Sequence, residues 1–192
     1  MPVGDKPWAL NQLRHAKNAY IYTLAAMRLL NSEALLSLRD RRVLIRQDGI
    51  IWDPDISDFV GGAVGYEGNQ IIAAYQNDNA NFQVDLLELY KSSRRNLVKE
   101  SYETVKKFAA KAGLDATWSK QPWYGFARII RNAISHDMVI SFDAKDLARL
   151  PVTLAGTTID VSMDKKEMTS DLLNPLVTLE LIEAMKAFVQ AN

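Results

Sequence analysis

One short segment holds the side chains best suited to chemistry in this sequence, namely Arg128, Arg131, Asn132, Ser135 and His136. On a helix drawn at about 100° per residue they share one face. The opposite face carries apolar residues: Phe126, Ile129, Ile130 and Ala133. Arginine matches phosphate oxygens through two parallel hydrogen bonds, and histidine transfers protons near neutral pH. The polar face is therefore equipped to handle a phosphodiester.

The spacing within this segment resembles the signature of the HEPN superfamily, a group of small helical-bundle proteins many of which are ribonucleases. That signature is an arginine, four to six residues and then a histidine near a helix end, commonly with a polar residue after the arginine. The matching run is Arg131-Asn132-Ala133-Ile134-Ser135-His136, with four intervening residues. The resemblance covers mainly the predicted helices between about residues 80 and 137.

The resemblance implies a metal-independent endoribonuclease without a cofactor, often the toxin of a toxin–antitoxin pair or part of an antiviral system. It makes Arg131, Asn132 and His136 the catalytic residues, and we expect Arg128 and Ser135 to bind substrate. The expected partners are RNA, a second copy of the chain and a protein antitoxin. A subgroup silenced by nucleotidyltransferase antitoxins carries tyrosine two residues after the histidine. Here that position is Met138, so regulation by AMP modification is not indicated.

The requirement for two proton-transfer groups independently favours a homodimer. Attack by a ribose 2′-hydroxyl needs a base and an acid, whereas this helix offers one histidine. A two-fold axis would bring in a second His136 and would pair the Arg131 side chains around the charge on the phosphorane. Asn132 lies one turn before His136, where it could orient the imidazole or bind phosphate.

Two other interpretations stay open for the same residues. One is a non-catalytic module of the same type that binds RNA, a nucleotide or a protein partner. The other makes Arg131 and His136 purely structural, with Asp137 pairing with Arg131 or capping the hairpin. Activity of the purified protein separates the ribonuclease from both alternatives. Loss of phosphate binding in an Arg131 variant separates the second interpretation from the third.

Composition limits the class of protein. The chain has 192 residues, 48% of them hydrophobic, with 23 basic and 23 acidic side chains and no cysteine. This length and hydrophobicity predict one globular domain over residues 1–192. The lack of cysteine rules out disulfides and zinc–thiolate sites. No apolar run reaches the roughly 18 residues that a membrane span needs, so we expect a cytoplasmic protein without a membrane partner.

Hydrophobic periodicity predicts a mainly α fold, a four- to five-helix up-and-down bundle with a small appended β-hairpin over about 138–163. Apolar residues recur at helical spacing in four stretches: 7–39 with a dividing point at 31–32, 81–112, 118–135 and 172–190. In the last of these, the residues expected in the core are Leu176, Leu179, Ile182 and Phe188. Strands are predicted over 138–142, 152–154 and 158–162, with a turn at 155–157.

Other candidate sites are less specific. Asp53, Asp55 and Asp58 resemble the start of a calcium loop, but the positions that need glycine and glutamate hold Asp58 and Val64. We therefore interpret them as turn residues and predict no metal site. The segment 50–68 is predicted to be a loop, because its four closing glycines lack the lysine of a phosphate-binding loop. His15, the other histidine, is interpreted as an ordinary polar residue on a helix.

Overall fold

The computed structural model of this chain describes residues 2–30, 33–39, 42–46, 49–53, 64–169 and 171–192. They form two compact units, one of Met1–Ile21 with Ser92–Asn192 and the other of Tyr22–Lys91. All five candidate site residues lie in the first unit. The division into two units does not test the prediction of a single domain over residues 1–192, which stays a prediction.

Helices dominate the described residues, and strands are short. In chain order the first elements are α1 (Lys6–Leu30), a 3-10 helix (Glu33–Leu38), β1 (Arg42–Arg46), β2 (Gly49–Asp53), β3 (Val64–Glu67), α2 (Gly68–Asn77) and α3 (Asn79–Lys111). The rest are α4 (Asp115–Trp118), α5 (Tyr124–Ser135), α6 (Ala144–Leu147), β4 (Val152–Leu154), β5 (Thr157–Ile159), a 3-10 helix (Val161–Met163) and α7 (Pro175–Ala191). The predicted mainly α fold with a β-hairpin is confirmed.

The helix ends follow local sequence signals. The Asp5 side chain accepts from the Trp8 N–H at 2.8 Å, which satisfies a donor in the first turn of α1. After the end of α3, Gly113 takes a left-handed conformation with φ of 68°. Glycine favours this conformation, which ends a helix. Asn174 caps α7 by accepting from the Val177 N–H at 3.0 Å, and Pro175 follows at the first helical position.

The second unit contains a sheet where the sequence predicts a loop. Strand β1 pairs antiparallel with both neighbours, in the order β2-β1-β3. The predicted loop over 50–68 is therefore wrong at both ends, since β-branched and aromatic residues next to the turn formers build strands. Asp55, Asp58, Gly61 and Gly62 lie outside the described residues. A separate apolar cluster in this unit comprises Leu35, Ile72, Phe82 and Leu86.

The first unit buries one face of each long helix. In α7 the buried apolar residues are Val177, Leu181, Ile182, Met185, Phe188 and Val189. This stripe leaves Leu176 and Leu179 on the other side of the helix, at 60% and 37% exposure, so their predicted burial is wrong. Helices α1 and α7 run antiparallel, because Lys6 contacts Gln190 near one end and Lys17 pairs with Glu183 further along.

The hairpin is smaller than predicted. Strands β4 and β5 pair antiparallel around a turn at Ala155-Gly156, where both residues have positive φ. The predicted strand over 138–142 is wrong, because this segment forms only one isolated bridge, between Val139 and Glu167. The left-handed conformation of Met138 interrupts the extended backbone at one end of the segment, and α6 begins soon after the other end. The hairpin also ends early, since residues 161–163 form a 3-10 helix.

Close packing places the hairpin against the helix that carries the candidate site. A Cβ atom added at Gly125 of α5 would lie 2.9 Å from Cγ1 of Val152 in β4. Glycine is therefore needed at this point for the approach of strand to helix. In the ranges that the structure describes, no helix has the length and apolar character needed to cross a membrane.

Candidate functional site

Helix α5 separates its core face from its polar face as the sequence predicts. Four residues that were expected in the core are 1% exposed or less: Phe126, Ile129, Ile130 and Ala133. On the other side Arg128, Arg131 and Asn132 are half-buried, and Ser135 and His136 are exposed. Four of the five predicted site residues therefore lie in α5, and His136 follows as its C-cap.

Arg131 is held by a carboxylate from a neighbouring helix. Its Nε donates to Oε1 of Glu103 in α3 at 2.7 Å, and its Nη2 lies 2.5 Å from the same oxygen. Its Nη1 donates to Oδ1 of Asn132 at 3.3 Å. The side chains of Arg131 and Glu103 are 27% and 25% exposed, so the pair is open to solvent on one side. The arginine is thus fixed in place and still accessible.

Arg128 is bound to two carboxylates that begin α6. Its Nη2 lies 2.5 Å from Oδ2 of Asp143, and its Nη1 donates to Oδ1 of Asp146. The two acids also form a capping box, in which each side chain accepts from the backbone N–H of the other. The hydrogen bond from Arg128 holds the pKa of Asp143 well below its usual range. Since both carboxylates occupy its donors, Arg128 connects α5 to α6.

Tyr102 is close enough to both arginines to feel their charges. Burial raises the pKa of Tyr102 above its ordinary value, and the neighbouring Tyr124 hydroxyl raises it further. The positive charges of Arg128 and Arg131 act in the opposite direction. Burial and Tyr124 therefore outweigh the two guanidinium charges in the pKa of Tyr102. The Trp118 ring packs edge-on against the Tyr102 ring, with 5.0 Å between the ring centroids.

His136 stands at a helix end whose backbone is strained. Asp137 and Met138 follow it with φ values of 52° and 63°, in the left-handed region where non-glycine residues are rare. The Met138 N–H donates to the Ala133 carbonyl at 2.9 Å, which is one of the two hydrogen bonds of a Schellman motif, with aspartate in the usual glycine position. Met168 donates its backbone N–H to the Met138 carbonyl at 2.7 Å and holds the turn. Such strain clusters at functional sites.

Some partners at this site escape sequence reasoning. Glu103 lies 28 residues before Arg131, and nothing in its local pattern marks it as a partner of that arginine. Asp143 and Asp146 carry a readable signal, because two acids three residues apart before a leucine fit a capping box. That signal identifies a helix start but not the contact with Arg128.

The other histidine and the predicted absence of a metal site concern residues outside α5. His15 is an exposed residue of α1. Across the described part of the chain, no group of three or more histidine or acidic side chains is arranged to hold a metal ion. No protein-family model, curated protein or solved structure matches this chain.

Proposed function

We propose that this protein is a metal-independent endoribonuclease that acts as a homodimer. The observation that best supports this function is the exposure of His136 at the strained end of α5, five residues after the anchored Arg131. A phosphodiester needs a cation for its oxygens and a group that transfers protons. These two residues supply both. A cytoplasmic location and control by a protein antitoxin belong to the same proposal.

The proposed reaction is transesterification within the RNA strand. One His136 imidazole removes the proton of a ribose 2′-hydroxyl, and the 2′-oxygen forms a bond to the adjacent phosphorus. The bond from phosphorus to the 5′-oxygen breaks, and the partner subunit's His136 donates a proton to that oxygen. The products are a 2′,3′-cyclic phosphate and a 5′-hydroxyl. Paired Arg131 side chains stabilise the added charge on the phosphorane.

The remaining polar residues have supporting roles in this proposal. Asn132 precedes His136 by one helical turn, from where it orients the imidazole or donates to a phosphate oxygen. Ser135 is exposed and contributes a hydroxyl to the substrate backbone. Arg128 is the second proposed substrate-binding residue, although Asp143 and Asp146 already occupy its donors and outweigh its charge.

The direct test is incubation of the purified protein with a labelled RNA oligonucleotide in excess EDTA. We expect strand cleavage that leaves a 2′,3′-cyclic phosphate, and no cleavage of DNA or of 2′-O-methyl RNA of the same sequence. Cleavage that EDTA stops, or DNA cut as fast as RNA, contradicts the mechanism. Light scattering should give twice the 21.6 kDa mass of the chain, and a monomer at micromolar concentration contradicts the composite site.

A second candidate is a non-catalytic module that binds RNA or another phosphate ligand. Its support is the Arg131 guanidinium, which is 27% exposed and can meet a phosphate whether or not His136 transfers a proton. A protein that retains RNA on a filter in an Arg131-dependent manner, and never cleaves it, favours this module over the ribonuclease.

A further inference from the structure

The contact with Glu103 divides the Arg131 guanidinium into two unequal edges. The edge formed by Nε and Nη2 is taken by a single carboxylate oxygen, at 2.7 and 2.5 Å. The end formed by Nη1 and the second Nη2 hydrogen makes one longer contact, to Oδ1 of Asn132 at 3.3 Å. A guanidinium can offer a pair of parallel N–H donors on either edge. One such pair is therefore occupied and the other is weakly engaged.

We infer that Glu103 is a positioning residue for the proposed cleavage, holding Arg131 by one edge so that its Nη1–Nη2 edge binds the scissile phosphodiester. This inference rests on the proposed ribonuclease function. An arginine side chain loses rotational entropy when it is ordered. Because Glu103 orders Arg131 before substrate arrives, that entropic cost does not add to the barrier of the reaction. Glu103 belongs to a helix of 33 residues, which is a rigid support.

The charge of Glu103 is compatible with an anionic substrate at the other edge. Its second oxygen, Oε2, lies 4.0 Å from Nζ of Lys106, one turn later on α3. The carboxylate is thus balanced by two cations rather than left to repel a phosphate. A phosphate oxygen that displaces Oδ1 of Asn132 from Nη1 exchanges a long neutral contact for a charge-assisted one.

The test compares E103Q with E183Q. Glutamine keeps the size of glutamate at position 103 but removes the charge that holds Nε and Nη2. Glu183 is a matched control, because it forms a 2.5 Å ion pair with Lys17 in the same unit. We expect E103Q to lower kcat for RNA cleavage by about 10- to 100-fold, the size of effect that a misplaced catalytic group produces. E183Q should leave kcat unchanged.

A double-mutant cycle shows whether Glu103 acts through Arg131. The measured quantity is the affinity for a 2′-O-methyl RNA oligonucleotide, which the proposed reaction cannot cleave. E103Q should weaken binding in the wild-type background and have no effect in an R131A background. Equal kcat for E103Q and E183Q, or tighter binding by E103Q, overturns the inference, since the second result means that Glu103 competes with the phosphate.

A spectroscopic measurement separates this inference from the proposed function. The Arg131 Nε–Hε signal in a ¹⁵N NMR spectrum, assigned by its absence in R131K, should exchange slowly in the wild type and in E183Q. It should exchange fast in E103Q. If the wild type cleaves no RNA, the ribonuclease proposal fails, whereas a slow signal still supports the anchoring of Arg131 by Glu103. A signal that exchanges equally fast in all three proteins overturns the anchoring itself.

Discussion

Asp146 is buried beneath Arg128, which lies 18 residues earlier in the chain. The Asp146 side chain is 1% exposed, and its Oδ1 accepts from Nη1 of Arg128. Its other oxygen accepts from the backbone N–H of Asp143 at 3.2 Å. A buried carboxylate needs such partners, because an unpaired charge in the interior is costly. The ion pair between Arg128 and Asp146 therefore joins α5 to α6.

The first prediction follows from that burial. Arg128→Ala leaves Asp146 without its cation, and breaking a buried pair on one side costs about 3 kcal/mol of unfolding free energy. Urea denaturation measures the loss. The control is Arg149→Ala, whose guanidinium is exposed and contacts only the Tyr124 ring, at 4.9 Å, among the contacts described. We expect the control to cost less than about 1 kcal/mol. Equal losses in the two variants would contradict the structural role of Arg128.

The second prediction concerns acid stability. Hydrogen bonds from Arg128 and from the backbone N–H of Asp146 lower the pKa of Asp143 in the folded protein. A folded-state pKa below the unfolded value of about 3.9 stabilises the protein fully above that pH. The contribution is lost as the pH falls from about 4 toward the lowered pKa. The urea midpoint should therefore fall less between pH 5 and pH 2 in Asp143→Asn than in the wild type. If the urea midpoint falls equally with pH in the two proteins, the pair of Arg128 and Asp143 contributes nothing to acid stability.

The third prediction compares the two histidines. Because His136 is exposed at a helix end, His136→Ala should leave the thermal midpoint within a few degrees of wild type. Loss of a general acid and base should lower RNA cleavage by about 10²- to 10⁴-fold. His15→Ala, on the exposed side of α1, should cleave at the wild-type rate. A larger loss of cleavage in His15→Ala than in His136→Ala would show that His15, and not His136, transfers the proton.

The fourth prediction tests the packing of the hairpin on α5. Gly125→Ala adds a Cβ atom 2.9 Å from Cγ1 of Val152, which is too close without movement of the strand. Overpacking of this kind costs about 1–3 kcal/mol in unfolding free energy. Val152→Ala removes the opposing methyl group. The cost of Gly125→Ala should therefore be much smaller in that background, and an unchanged cost would mean that helix and strand do not meet here.

Local sequence signals were enough for the features that depend on neighbouring residues. The helical period identified the buried face of α5, because a residue's side of a helix depends only on its position along it. In the same way Gly113 marked the end of α3, and the turn at Ala155-Gly156 marked the hairpin between β4 and β5. These signals act over a few residues, so they survive in any tertiary setting.

Tertiary structure decided what each polar side chain contacts. The sequence placed Arg128 and Arg131 on one face, but only packing brought Asp146 to the first and Glu103 to the second. It also left Leu176 exposed, because burial depends on which neighbour covers a face rather than on hydrophobicity. Partners distant in the chain meet through the sum of many weak contacts, and no short sequence pattern encodes that sum.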